Sequence, residues 1–163
     1  MQGLQETPSD LQRLAQALPG RSYRLTQPYE VAREKLREFA SAIGEMDPVF
    51  HDPAVAVKCG FRDVVAVPTF PIVITFKVLQ QLLADPELVI DLRRVVHGDQ
   101  KFTALRPLCA GDVLGCSTSV TQVRTFGGSL MVATNSELHP IEDPKTSIVH
   151  AEASLLIGAQ ARI

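Results

Sequence analysis

The sequence has little of anything that would mark a specialised environment. Positive charge is not in excess: Lys+Arg number 16 against Asp+Glu 18 in 163 residues, a formal net charge of -2. Without a basic field to neutralise phosphates, nucleic acid is not an expected partner. Cysteine is scarce, and Cys59, Cys109 and Cys116 are odd in number with no C-x-x-C pair. That argues against a disulfide framework and a closely spaced zinc site, and reduced thiols fit a cytoplasmic protein. No apolar run reaches the roughly 20 residues needed to cross a bilayer. The longest, 69–84, is broken by Lys77, Gln80 and Gln81, so no membrane association is expected. The polar start M-Q-G-L-Q-E-T-P-S-D-L-Q lacks the apolar stretch of a secretory signal. Glycine (10) and proline (11) are ordinary, and with 45% hydrophobic residues the chain is neither disordered nor linker-like. What remains is a globular chain long enough for one core.

Periodicity supplies the elements. Leu11, Leu14, Ala15 and Leu18 fall at i, i+3, i+4 and i+7, which predicts a helix over 9–18. Ser9 and Gln12 form its capping box, and Pro19-Gly20 stops it. An extended stretch follows from Tyr23 to Pro28. Leu36, Phe39, Ala40 and Ile43 repeat the helical spacing over 31–43, with Gly44 as the C-cap. Residues 45–60 read as a polar loop with at most a helical turn at 53–58, and 63–67 as a short extended piece. Pro68 suits the start of a helix over 69–84 that is apolar on nearly all faces and so must be wrapped by other structure.

The second half changes period. Residues 93–106, 112–125, 129–139 and 146–158 have strand content, separated by Ala110-Gly111-Asp112, Gly127-Gly128 and 139–144. In the last run Val149, Ala151, Ala153, Leu155 and Ile157 alternate with polar residues, as on a half-buried antiparallel strand. The expected class is α+β, a hot-dog fold with an antiparallel sheet wrapped around a long central apolar helix. The chain divides into an N-terminal helical extension (1–20), one domain (21–158) and a tail (159–163).

Four strings in order carry a resemblance: P-Y-E-V-A-R-E-K-L-R-E-F-A at 28–40, D-V-V-A-V-P-T-F at 63–70, V-V-H-G-D-Q-K-F at 95–102 and R-P-L-C-A-G-D at 106–112. Together they resemble the MaoC-like, hydratase-2 superfamily of hot-dog proteins. Within it they are most similar to actinobacterial small dehydratase subunits, such as the non-catalytic subunits of (3R)-hydroxyacyl-ACP dehydratases. The resemblance implies reversible addition of water to a trans-2-enoyl thioester, on acyl-CoA or acyl-ACP, without metal or organic cofactor. It also implies a dimer, either a homodimer or a heterodimer with a catalytic MaoC-like hydratase subunit.

Catalytic members of that family carry an Asp and a His five residues apart after the second helix, and a Gly at the head of the central helix whose N–H meets the thioester carbonyl. This chain places Glu45 at the Asp position and Phe50 at the His position, with His51 one residue late. Pro68, which has no N–H, falls where the Gly is expected. The resemblance therefore implies the substrate-binding half of a two-subunit enzyme. Its alternative is a self-sufficient homodimer in which His51 acts with Asp47 or Glu45 as acid and base. The simpler role for Asp47 is a turn residue before Pro48, and for His51-Asp52 a solvated loop pair.

Thr69, Phe70, Ile72, His97 and Gly98 are the candidate substrate-binding residues, with Gly98 expected to mark a bulge or a close backbone approach. Two other classes bear consideration. A hot-dog thioesterase would want a carboxylate on the central helix, and 69–84 holds none. A non-enzymatic acyl-thioester binder shares every core feature.

Overall fold

The computed structural model describes residues 10–158. The elements are α1 (Asp10–Ala17), β1 (Ser22–Arg24), β2 (Tyr29–Glu30), α2 (Arg33–Ala42), α3 (Pro53–Lys58), α4 (Ile72–Leu83), β3 (Val95–Ala104), β4 (Val113–Phe126), β5 (Ser129–Pro140) and β6 (Val149–Gly158). Their strands form one antiparallel sheet in the order β1-β4-β5-β6-β3, with β2 also paired to β4. α4 packs on β4 and β1, the hot-dog arrangement expected from the strand pattern.

Period-two alternation makes the inner face of the sheet. Leu130, Val132 and Leu138 on β5 are buried, as are Val149, Ala151, Leu155 and Ile157 on β6. α4 meets this face with Ile74, Thr75, Val78, Leu79 and Leu82. Each such aliphatic side chain contributes about 1.5–3 kcal/mol when removed from water. The core has two parts. Ile74 and Val78 join Phe70, Leu114, Leu138 and Val149, whereas Leu79 and Leu82 join Leu14, Leu18, Val120, Val132 and Ile157. Along the strands the two parts are separated by buried hydroxyls. Thr118 lies between Cys116 and Val120, and its Oγ1 is 2.7 Å from Ser136 Oγ.

α1 is part of this core, because Leu14 and Leu18 close the second cluster. Ser9 of the expected capping box lies outside the described residues. α2 ends at Ala42, and Gly44 takes the left-handed φ of 77° that a helix C-terminus wants. The 45–60 segment is more ordered than expected: a 3-10 turn at Pro48–Phe50 and the helix α3, each started by an aspartate whose side chain accepts an N–H, Asp47 from Val49 and Asp52 from Ala54.

Two expectations need correction. α4 begins at Ile72 rather than at residue 69, because Pro71 has no N–H to donate backwards. Single-turn bonds precede it, from Ile72 N–H to Thr69 O and from Val73 N–H to Phe70 O, and the first α-helical bond runs from Thr75 N–H to the Pro71 carbonyl. Nor is α4 wrapped on all sides: Phe76 is 47% exposed, and Lys77 and Gln80 are exposed beside it. Its apolar composition concealed a face that this chain leaves uncovered.

Candidate functional site

A cavity of about 360 Å³ opens where four segments converge. Val49 and Phe50 come from the 3-10 turn, Val65 to Pro68 and Pro71 from the approach to α4, Ala104 to Leu108 from the end of β3, and Phe61 and Val149 complete the wall. Local sequence dictates this geometry. Pro48 starts the turn that carries Phe50. Ala66 N–H bonds to Leu108 O and Ala110 N–H to Val64 O, so the 64–67 and 108–110 segments are fixed against each other. The lining is apolar except for one ionisable side chain, Arg106.

Arg106 is held by a buried carboxylate. Asp112 is 4% exposed and accepts from Arg106 Nη1 at 3.0 Å, Arg106 Nη2 at 2.8 Å and Cys109 N–H at 2.8 Å. Arg62 binds Asp112 Oδ1, the oxygen that also accepts from Arg106 Nη2. Burial pushes the Asp112 carboxyl up, but the hydrogen bonds from Arg106, Cys109 N–H and Arg62 outweigh it and hold the carboxyl below its usual range. Neither Arg62 nor Asp112 was among the candidate residues. The signal for Asp112 was its place opposite Arg106 at the two ends of P-L-C-A-G, and only the fold brings Arg62 to them.

The candidate acid–base residues sit beside this cavity but not on its wall. His51 Nε2 is 2.8 Å from the main-chain oxygen of Glu45. A carbonyl can only accept, so Nε2 carries the proton there. The Glu45 carboxylate accepts from Asp47 N–H at 2.9 Å, and Asp47 in turn caps Val49 N–H at 3.0 Å. No bond joins the His51 ring to either carboxylate. Arg37 Nε binds the His51 carbonyl at 2.8 Å and fixes the loop to α2. Phe50, the neighbour of His51, faces the cavity instead.

The candidate substrate residues are scattered. Pro68 and Pro71 line the cavity, whereas Thr69 between them is exposed. Phe70 is 0% exposed and stacks edge-on against Phe39 at 5.5 Å, with Tyr29 at 6.5 Å, inside the first core cluster. Ile72 borders a small cleft under α4 with Thr75, Thr118 and Ser136. His97 and Gly98 are exposed on β3, seven residues and so roughly 20 Å along the strand from Ala104. Gly98 marks both a bulge and a close approach, since a Cβ there would lie 2.9 Å from Ser154 Oγ. Among the described residues no group of His, Cys, Asp and Glu could hold a metal, and no helix is long and apolar enough to cross a membrane.

A curled antiparallel sheet over one helix, with an apolar cavity at the helix head, defines a hot-dog protein of the MaoC-like dehydratase class. More narrowly, the chain belongs to the FAS1-like, dehydratase domain region family, whose model matches residues 17–142. It is 50% identical over 119 residues to a UPF0336 protein of Thermobifida fusca, covering 73% of this chain and 78% of that one. A UPF0336 protein of Streptomyces avermitilis is 48% identical over 126 residues, 77% and 84% of the two chains. Among solved structures, the truncated HadBC (3R-hydroxyacyl-ACP dehydratase) complex of Mycobacterium tuberculosis matches with a TM-score of 0.76 and 25% identity, over 85% of this chain and 96% of that one. A MaoC-like dehydratase matches with a TM-score of 0.80 at 23% identity, and this chain spans 43% of its length.

Proposed function

We propose that this chain is the acyl-binding subunit of an (R)-specific enoyl-thioester hydratase, or (3R)-hydroxyacyl-thioester dehydratase, in fatty-acid-type metabolism. A partner hot-dog subunit supplies the acid and base. One observation carries the reading: the wall of the cavity presents Phe50, while the adjacent His51 is tied to the Glu45 carbonyl. An apolar cavity of this size suits an acyl chain, and because its one ionisable lining residue, Arg106, is an arginine that keeps its proton, it can hold and desolvate a chain but not move a proton. Pro68 and Pro71 reinforce this, since neither can offer an N–H to a thioester carbonyl. A partner is further supported by β3, which pairs only with β6 among the described residues and leaves its other edge free. The HadBC neighbour is itself a complex.

The test is hydration of crotonyl-CoA and of a longer enoyl-CoA by the purified chain, alone and mixed with a catalytic MaoC-like subunit. Turnover only in the mixture supports the proposal. Strong turnover by the chain alone, abolished in His51→Ala, overturns it in favour of the self-sufficient homodimer. Acyl-CoA binding with no turnover beside any partner points to a non-enzymatic binder.

A further inference from the structure

Arg106 has donors to spare. A guanidinium carries five N–H groups. Nη1 gives its two to Asp112 Oδ2 and Pro107 O, and Nη2 gives one to Asp112 Oδ1. That is end-on binding across the Nη1–Nη2 edge. The Nε–H and the second Nη2–H lie side by side on the adjacent edge, and neither has an acceptor among the described residues. Such a fork matches the two oxygens of a carboxylate. Two arginines share the one Asp112 carboxylate, so the cluster keeps one positive charge in excess. Arg106 is also fixed in place by Asp112, and it is the one ionisable residue lining the otherwise apolar cavity.

An apolar cavity with a pre-oriented cationic fork calls for a ligand with an apolar chain and an anionic head attached directly to it. We propose that the cavity binds unesterified fatty acid, with the carboxylate on the Nε/Nη2 edge of Arg106 and the alkyl chain among Phe50, Phe61, Pro71 and Val149. Free fatty acid then competes with acyl thioester for the same space and restrains the enzyme when unesterified chains accumulate. A thioester offers this fork only a neutral carbonyl oxygen, whereas the acid offers a charged pair of oxygens. The inference rests on the cavity being the acyl site.

The experiment is isothermal titration of the purified full chain with decanoic acid, 1-decanol and decanoyl-CoA near pH 7.5, in the wild type and in Arg106→Lys. Lysine keeps the charge on Asp112 but has no planar fork. The acid is expected to bind about tenfold or more tightly than the alcohol in the wild type, and Arg106→Lys to remove most of that preference while leaving the alcohol unchanged. Decanoic acid is also expected to displace decanoyl-CoA. Equal binding of acid and alcohol by the wild type, a comparison that needs no variant, overturns the proposal. So does a preference that survives in a folded Arg106→Lys. If alcohol and thioester bind but the acid has no advantage, only this inference falls. If none of the three binds, the acyl-site reading falls with it.

Discussion

His51 donates its Nε2–H to the main-chain oxygen of Glu45, 2.8 Å away, and so joins the two ends of the loop between α2 and α3. The bond is made to backbone, so it constrains the loop whatever side chain stands at position 45.

A structural histidine and a catalytic one respond differently to removal. His51→Ala in the chain mixed with a catalytic hydratase subunit is expected to keep turnover within about threefold, while stability falls by about 1 kcal/mol. Thermal denaturation and a crotonyl-CoA hydration assay read the two effects separately. A loss of a hundredfold or more, with the melting temperature unchanged, would mean that the imidazole takes part in the chemistry.

Asp112 sets an acid limit to stability. Its folded carboxyl titrates below the unfolded value of about 4, so its contribution is complete above that pH and is lost as pH falls through the folded value. Asp112→Asn is expected to cost about 3 kcal/mol near neutrality, because two guanidiniums lose a buried partner. The gap between variant and wild type should close on acidification. Urea unfolding at a series of pH values measures it.

Tyr23 sets a corresponding limit in alkali. Burial, then its 2.6 Å hydrogen bond to Asp85, push its phenol up to about 12. A raised folded value contributes fully below the unfolded value of about 10 and is lost as pH rises through about 12. Tyr23→Phe is therefore expected to be less stable than wild type by about 1 kcal/mol at neutrality. The difference should shrink between about pH 10 and 12. Spectrophotometric titration should lose the tyrosine that ionises near pH 12 in the variant and keep Tyr29, whose phenol burial also raises.

The buried hydroxyl pair tests coupling inside the core. Ser136→Ala leaves the Thr118 hydroxyl without its 2.7 Å partner and is expected to cost about 1–2 kcal/mol. Adding Thr118→Val removes the orphan, so the double variant should be no less stable than Ser136→Ala alone. A double-mutant cycle with a coupling of about 1 kcal/mol checks it, and simple additivity contradicts it.

Cavity size should be readable in chain preference. Ala104 lines the cavity from the end of β3. Ala104→Phe is expected to weaken binding of a twelve-carbon acyl-CoA by about tenfold while a four-carbon acyl-CoA is little affected. Titration with the two ligands distinguishes a filled cavity from a general loss of folding.

The sheet was legible because its signal is local. Alternation such as Val149, Ala151, Leu155 and Ile157 fixes one face of β6 whatever its neighbours. The start of α4 was misplaced by three residues because apolar composition continues through Pro68 to Pro71, and only the missing N–H of Pro71 marks the boundary. The site was less legible for a physical reason. Arg62 and Asp112 are 50 residues apart, and their pairing depends on long-range packing that no periodicity encodes. The departure at Phe50 could be read by laying the loop on the family it resembles, but the His51–Glu45 bond could not, because it is made to backbone.

The cavity wall holds no group whose proton affinity must be tuned, apart from the arginine already fixed by Asp112. Its residues can therefore be exchanged in size, one methylene at a time, without disturbing any acid or base. On the proposed division of labour, the length of chain accommodated can drift over evolutionary time in this subunit while the acid and base are kept constant in its partner.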